Sequence, residues 1–183
     1  RPNSSGSKSA RIYSREINLL FTKIVANGNL TNGRIYAGNA EANNDGNYNY
    51  TVRSNADYNT SLTTIPDSLT VWVAFKPKDA SKGNAKITTT IHGDENLKQL
   101  AKSGNSPVNM VCATADAEIA ATSTSAVVWK RMSVPFTKGS NNDPRYILVT
   151  FNTNVTPGGG SANDELYVDD ICLVYNPTLN MEL

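Results

Sequence analysis

From Ala10 onward the chain is a succession of short runs separated by clusters of Gly, Asn, Asp and Pro, the spacing expected of a sandwich or barrel. The clearest alternation lies between Ser68 and Lys76. Leu69, Val71, Val73 and Phe75 share one face, and Thr70, Trp72, Ala74 and Lys76 share the other. Ala85, Ile87, Thr89 and Ile91 likewise oppose Lys86, Thr88, Thr90 and His92. A strand is expected between Arg11 and Val25, closed by the turn Ala26-Asn27-Gly28-Asn29. A second Asn-Gly pair, Asn32-Gly33, precedes a strand from Arg34 to Ala37. Both pairs read as turns because Asn and Gly tolerate positive φ. A polar stretch then ends in a Tyr-bearing strand around Tyr48 and Tyr50. Later strands are predicted over Ala117–Thr122, Val127–Phe136, Arg145–Asn152 and Glu165–Tyr175, the last two joined by the Pro157-Gly158-Gly159-Gly160 loop. Asp94 is placed to cap one short helix, Glu95 to Lys102, ended by Gly104. The domain is expected over 10–177, after a polar leader at 1–9 and before a tail at 178–183, with no internal repeat or second domain.

Composition fits an exported β protein. The 183 residues are 39% hydrophobic and only 18% charged, with a polar surface drawn from Asn, Thr, Ser and Gly. A chain of this size can bury a full core without a metal or disulfide framework. The formal net charge of +1 gives no pull toward nucleic acid. Lys76, Lys78, Lys82 and Lys86 straddle a strand end and a turn, and read as solvated edge charges. No apolar run approaches the ~20 residues of a membrane span. Because the chain starts at Arg1, a processed protein is expected, with any targeting segment removed. Two cysteines and one histidine cannot build a four-ligand zinc site. Cys112 and Cys172 lie among apolar neighbours and read as small buried hydrophobes, although strand pairing could bring them within bonding reach.

Familiar catalytic patterns are missing. The one histidine, His92, reads as a solvent-facing strand-end residue, no G-x-S-x-G elbow occurs, and Cys112-Ala113-Thr114 matches no cysteine-protease signature. Glycoside hydrolysis needs two carboxyls on one sugar. Asp169 and Asp170 are adjacent and point to opposite faces of a strand unless a bulge intervenes. The Gly158–Gly160 run lacks the Lys-Ser/Thr and helix of a phosphate cradle. The expectation is therefore no enzyme. What remains is aromatic and amide material suited to stacking on a pyranose and bonding its hydroxyls: Trp72, Tyr48, Tyr50, Tyr36 and Asn47, with Tyr58 in reserve. Trp129 is expected in the core.

The closing run Leu166-Tyr167-Val168-Asp169-Asp170-Ile171-Cys172-Leu173-Val174-Tyr175 resembles the last strand of galactose-binding-like jelly rolls. More closely, the chain resembles the putative carbohydrate metabolism domain of Bacteroides-type surface lipoproteins. The Asn-Gly-Asn-Leu-Thr-Asn-Gly region, the strand Pro-Asp-Ser-Leu-Thr-Val-Trp-Val-Ala-Phe-Lys-Pro and the strand Trp-Lys-Arg-Met-Ser-Val-Pro-Phe fit that likeness. The resemblance implies an all-β chain, a jelly-roll β-sandwich of two antiparallel sheets with one short helix. It also implies a non-catalytic carbohydrate-binding module, secreted or on the bacterial outer-membrane surface, with a possible lipid anchor upstream. The partner would be a glycan, a polysaccharide or glycoprotein sugar. In such jelly rolls an aspartate near the closing strand often holds a structural calcium, which would fall on Asp169 or Asp170. A carboxylate accepting backbone N–H bonds is the plainer reading of the same residues. Rival functions are a structural or adhesin-type interaction domain with no glycan ligand, and an enzyme whose site would show as carboxylates in a deep pocket.

Overall fold

The computed structural model describes residues 1–4, 6–20 and 22–176; the tail at 178–183 lies outside the described residues. In chain order its strands are β1 (Ala10–Tyr13), β2 (Arg15–Leu19), β3 (Thr22–Ala26), β4 (Asn29–Thr31), β5 (Arg34–Ala37) and β6 (Asn47–Tyr50). Next come β7 (Ser68–Lys76), β8 (Ala85–His92), β9 (Lys98–Leu100), β10 (Gly104–Ser106) and β11 (Val111–Ile119). The last are β12 (Lys130–Pro135), β13 (Thr137–Lys138), β14 (Tyr146–Asn152) and β15 (Glu165–Val174). Among the described residues the helical segments are three short 3-10 turns.

The fold is an all-β sandwich. One sheet has the order β1-β15-β7-β12 and the other β13-β11-β8-β14-β4, with every pairing antiparallel. Strand β7 keeps its predicted bounds, and its predicted inner face of Leu69, Val71, Val73 and Phe75 is fully buried. Those side chains meet Ala85 and Ile87 of β8, Ala115 and Ile119 of β11, Phe151 of β14, and Leu166 and Val168 of β15. Each large apolar side chain buried this way is worth about 1.5–3 kcal/mol, so the pattern of period two is what joins the sheets. A third sheet, β10-β9-β6-β5, and the two-stranded ribbon β2–β3 complete the chain.

The third sheet lies over the outer face of the second. Thr150 Oγ1 donates to Gln99 Oε1 at 2.7 Å, and Gln99 Nε2 donates to Thr90 Oγ1 at 3.2 Å. Leu97, Val111 and Leu148 form a small apolar cluster under it.

Several expectations change. No helix forms at Glu95–Lys102, where Leu97 and Gln99 are buried while Lys98 is exposed, the alternation of strand β9. Asp94 pairs with Arg53 at 2.6 Å rather than capping a helix, and Gly104 sits at φ +78 as the first residue of β10. The strand predicted at Ala117–Thr122 starts earlier, at Val111. Neither Gly28 nor Gly33 has positive φ. Both are needed for close approach: a Cβ on Gly28 would lie 2.7 Å from Tyr13 N, and one on Gly33 2.6 Å from Tyr50 O. Cys112 is buried, as expected, but Cys172 is exposed just after an irregularity in β15, and the two are unbonded. Trp129 is half-buried on a sheet surface, edge-on to Tyr167 at 6.3 Å, and not in the core.

Candidate functional site

The outer face of the second sheet carries the residues that alternate with the core. Pairing sets them in rows across the strands, with Asp116, Thr88, Thr150 and Thr31 in one and Glu118, Lys86, Asn152 and Asn29 in the next. From β11 to β4 is three strand spacings, about 14 Å. Asn29, Lys86, Thr88, Asp116, Thr150 and Asn152 of these rows floor a groove of about 380 Å³. Ile17 and Ile24 of the ribbon, Ile35 and Ala37 of β5, and Pro157 give the walls apolar surface, while Asn49, Gln99, Asn105 and Asn154 add amides. Open, partly apolar and amide-rich, the groove suits a ligand with both ring faces and hydroxyls.

Internal bonds hold the floor. Asn29 Nδ2 donates to Asn49 Oδ1 at 2.9 Å, and Thr90 Oγ1 donates to Asn105 Oδ1 at 3.0 Å. Asn29 Oδ1 is buried without a partner among the described residues, an acceptor beside the groove. Asp116 Oδ1 accepts the Thr89 backbone N–H at 3.0 Å. Solvent reaches the Asp116 carboxyl along the groove, yet the enclosing walls still raise its pKa, against the opposing pull of the Thr89 N–H and of Lys86. Lys86, expected as a solvated edge charge, lines this groove. At the far end, the loop after β14 is tied down by Asp164, which accepts from Lys78 N and Ser161 N at 2.7 Å each and from Asn154 Nδ2 at 3.3 Å.

The predicted ligand residues divide between surfaces. Tyr36 stacks on Tyr48 at 4.9 Å, Tyr48 meets Tyr50 edge-on at 5.4 Å, and Lys98 Nζ lies 4.6 Å from the Tyr48 ring centre. Tyr36 and Tyr48 reach the groove rim. Asn47 uses its side chain locally: Nδ2 donates to Glu41 O at 2.8 Å, and Oδ1 accepts from Asn39 N at 3.0 Å. Trp72 lies elsewhere, half-buried on the outer face of the first sheet between Arg131 and Asp169.

Asp169 and Asp170, the residues expected to meet calcium, meet a cation of the chain itself. The Arg1 guanidinium pairs with both, and Asp169 Oδ1 accepts the Asp170 N–H at 2.9 Å. Among the described residues no group of three His, Cys, Asp or Glu side chains could hold a metal ion.

His92 is corrected too. It is fully buried, not solvent-facing: Nδ1–H donates to Gly93 O at 2.9 Å, Nε2 accepts from Thr51 Oγ1 at 2.8 Å, and Tyr146 stacks on the ring. Burial lowers its pKa to about 4, so it stands neutral.

Two solved structures share this fold. One, from Bacteroides thetaiotaomicron VPI-5482, is described as a putative glycoside hydrolase and superposes with TM-score 0.64 at 16% identity. The match covers 96% of this chain and 55% of that one, so the chain spans about half its length. The other, a putative glycoside hydrolase from Bacteroides vulgatus ATCC 8482, gives TM-score 0.65 at 17% identity over 96% of this chain and 76% of that one. No family model and no curated protein matches the chain. At these identities the likeness is one of fold. It overturns the expectation of no enzyme, because both neighbours carry the name of a hydrolase.

Among the described residues no helix is long and apolar enough to cross a membrane. The floor residues Lys86, Asp116 and Asn152 were missed in the sequence. Their strands are far apart in the chain, and only pairing brings them together.

Proposed function

We propose that the chain holds a glycan in the groove over the outer face of β11, β8, β14 and β4. The observation that carries this reading is a floor of hydroxyls, amides and one carboxylate set between apolar walls. Sugar rings supply the matching surfaces, and the carbohydrate-related names of the structural neighbours support the class. The finer fold reading, a galactose-binding-like jelly roll, is supported by the strand orders, in which the chain crosses between the facing sheets at β1 to β4, β4 to β7, β7 to β8, β11 to β12, β12 to β13 and β14 to β15. An exported location, with a lipid anchor upstream, belongs to the same proposal and is supported by the Asn-, Thr- and Ser-rich composition.

Glycan-array screening followed by calorimetry tests it. Asn152→Ala and Tyr48→Ala are each expected to weaken the best ligand about tenfold, the loss of roughly one good contact. Weakening by Trp72→Ala with Asn152→Ala unchanged would move the site to the first sheet. No glycan bound by folded protein would favour the interaction-domain reading.

A second reading, hydrolysis at the same groove, is favoured by the names of the neighbours, by the raised Asp116 carboxyl and by a second carboxyl, Glu118, two residues on along the same face of β11. Reducing ends released by the wild type and not by Asp116→Asn would establish it.

A further inference from the structure

We infer that Lys86 and Asp116 form a two-point grip selecting a neutral sugar through two adjacent hydroxyls. This rests on the reading of the groove as a glycan site. Thr88 faces Asp116 and Glu118 faces Lys86 across the β8–β11 pairing, so Lys86 and Asp116 stand on a diagonal. Diagonal positions lie about 7–8 Å apart, with reach left over for long side chains. The two charges make no ion pair with each other among the described residues. Glu118, the other acid beside Lys86, accepts from Asn84 Nδ2 at 2.7 Å. Asp116 uses one oxygen on Thr89 N and has no partner for the other among the described residues.

A donor and an acceptor of opposite charge, held apart on one floor, are bridged by a diol. One hydroxyl donates to the carboxylate and its neighbour accepts from the ammonium. The class follows from charge. Among the described residues Lys86 is the one cation lining the groove, and Asp116 offsets it, so no spare positive charge remains there for a uronic-acid carboxylate or a sulfate.

Calorimetry with xylo-, manno- and galacto-oligosaccharides beside oligogalacturonides, on wild type, Lys86→Met, Asp116→Asn, the double variant and Asn152→Ala, tests the grip. Asn keeps an acceptor for the Thr89 N–H. The expected result is binding of a neutral probe, weakened at least tenfold by each single change and little further in the double, since the two act on one ligand. Oligogalacturonides bound more tightly, lost with Lys86→Met and strengthened by Asp116→Asn, would overturn the neutral class while the groove stands. Weakening by Asn152→Ala alone would overturn the grip and keep the groove. Glycan binding indifferent to every groove variant would overturn the groove reading as well.

Discussion

Between pH 7 and pH 4 the protein is expected to lose about 3 kcal/mol of folding free energy to a single histidine. His92 is fully buried and bonded at both ring nitrogens, and its pKa lies near 4 against an ordinary 6.5. Above pH 6.5 neither state carries the proton, and the residue contributes no pH dependence. Between 6.5 and 4 only the unfolded chain takes it up, so stability falls as pH falls. Below 4 both states are protonated and the loss levels off. Glu165 works in a lower window. Burial raises its pKa, but hydrogen bonds from Arg11, Tyr167 and Lys76 outweigh that and bring it to about 2. Its contribution is present above its ordinary 4.5 and is lost as pH falls toward 2. Asp116, with its raised pKa, has the opposite sign and favours the folded state as pH falls. Urea titrations at pH 7, 5.5 and 4, beside an NMR titration of this one histidine, separate the windows. A ring that titrates near 6.5 in the folded protein would refute the account.

Asp164→Ala is expected to cost about 3 kcal/mol or more, because it strands three donors at once. Asp164 is buried, and its carboxylate gathers Lys78 N, Ser161 N and Asn154 Nδ2 at the end of the loop from Asn154 to Asp164. The packing there leaves no slack. A Cβ on Gly160 would lie 1.6 Å from Asn154 Nδ2 and 2.6 Å from Asp164 Oδ2, so the pair packs directly on the glycine. Asp164→Asn keeps the shape but turns one acceptor into a donor facing donors, and should lose about half as much. Urea unfolding measures both. Because Asn154, Val155 and Pro157 line the groove, the alanine variant should also weaken a groove ligand. Full stability in Asp164→Ala would mean that water replaces the carboxylate without cost.

Legibility in the sequence followed distance along the chain. Strand β7 was readable to the residue because nine positions alternate without interruption, and β8 likewise with its two faces. The 95–102 segment misled because Asp94 and Gly104 imitate helix ends, while the deciding fact is tertiary: Gln99 bonds Thr150 and Thr90 from other strands. His92 was misplaced for the same reason, since it points away from the main core and is covered by Thr51 and Tyr146, which are distant in the chain. Tyr36, Tyr48 and Tyr50 do assemble, because β5 and β6 are a hairpin close in sequence. The groove floor draws on four strands that span residues 29 to 152, and no local pattern announces which polar faces will share a concavity.

The three wall-forming pieces enter the fold by separate detours. The ribbon β2–β3 leaves between β1 and β4, the pair β5–β6 between β4 and β7, and the pair β9–β10 between β8 and β11. Their backbone pairings stay among themselves, apart from the sandwich ladders. The floor has no such freedom: its strands carry the core on their reverse faces, and a slip of one residue would exchange the two. Ancestral tinkering could therefore lengthen, shorten or replace a detour and reshape the cleft while the scaffold beneath it kept its sequence rules. Relatives built on this plan should diverge first where the chain wanders and last where it is pinned from both sides.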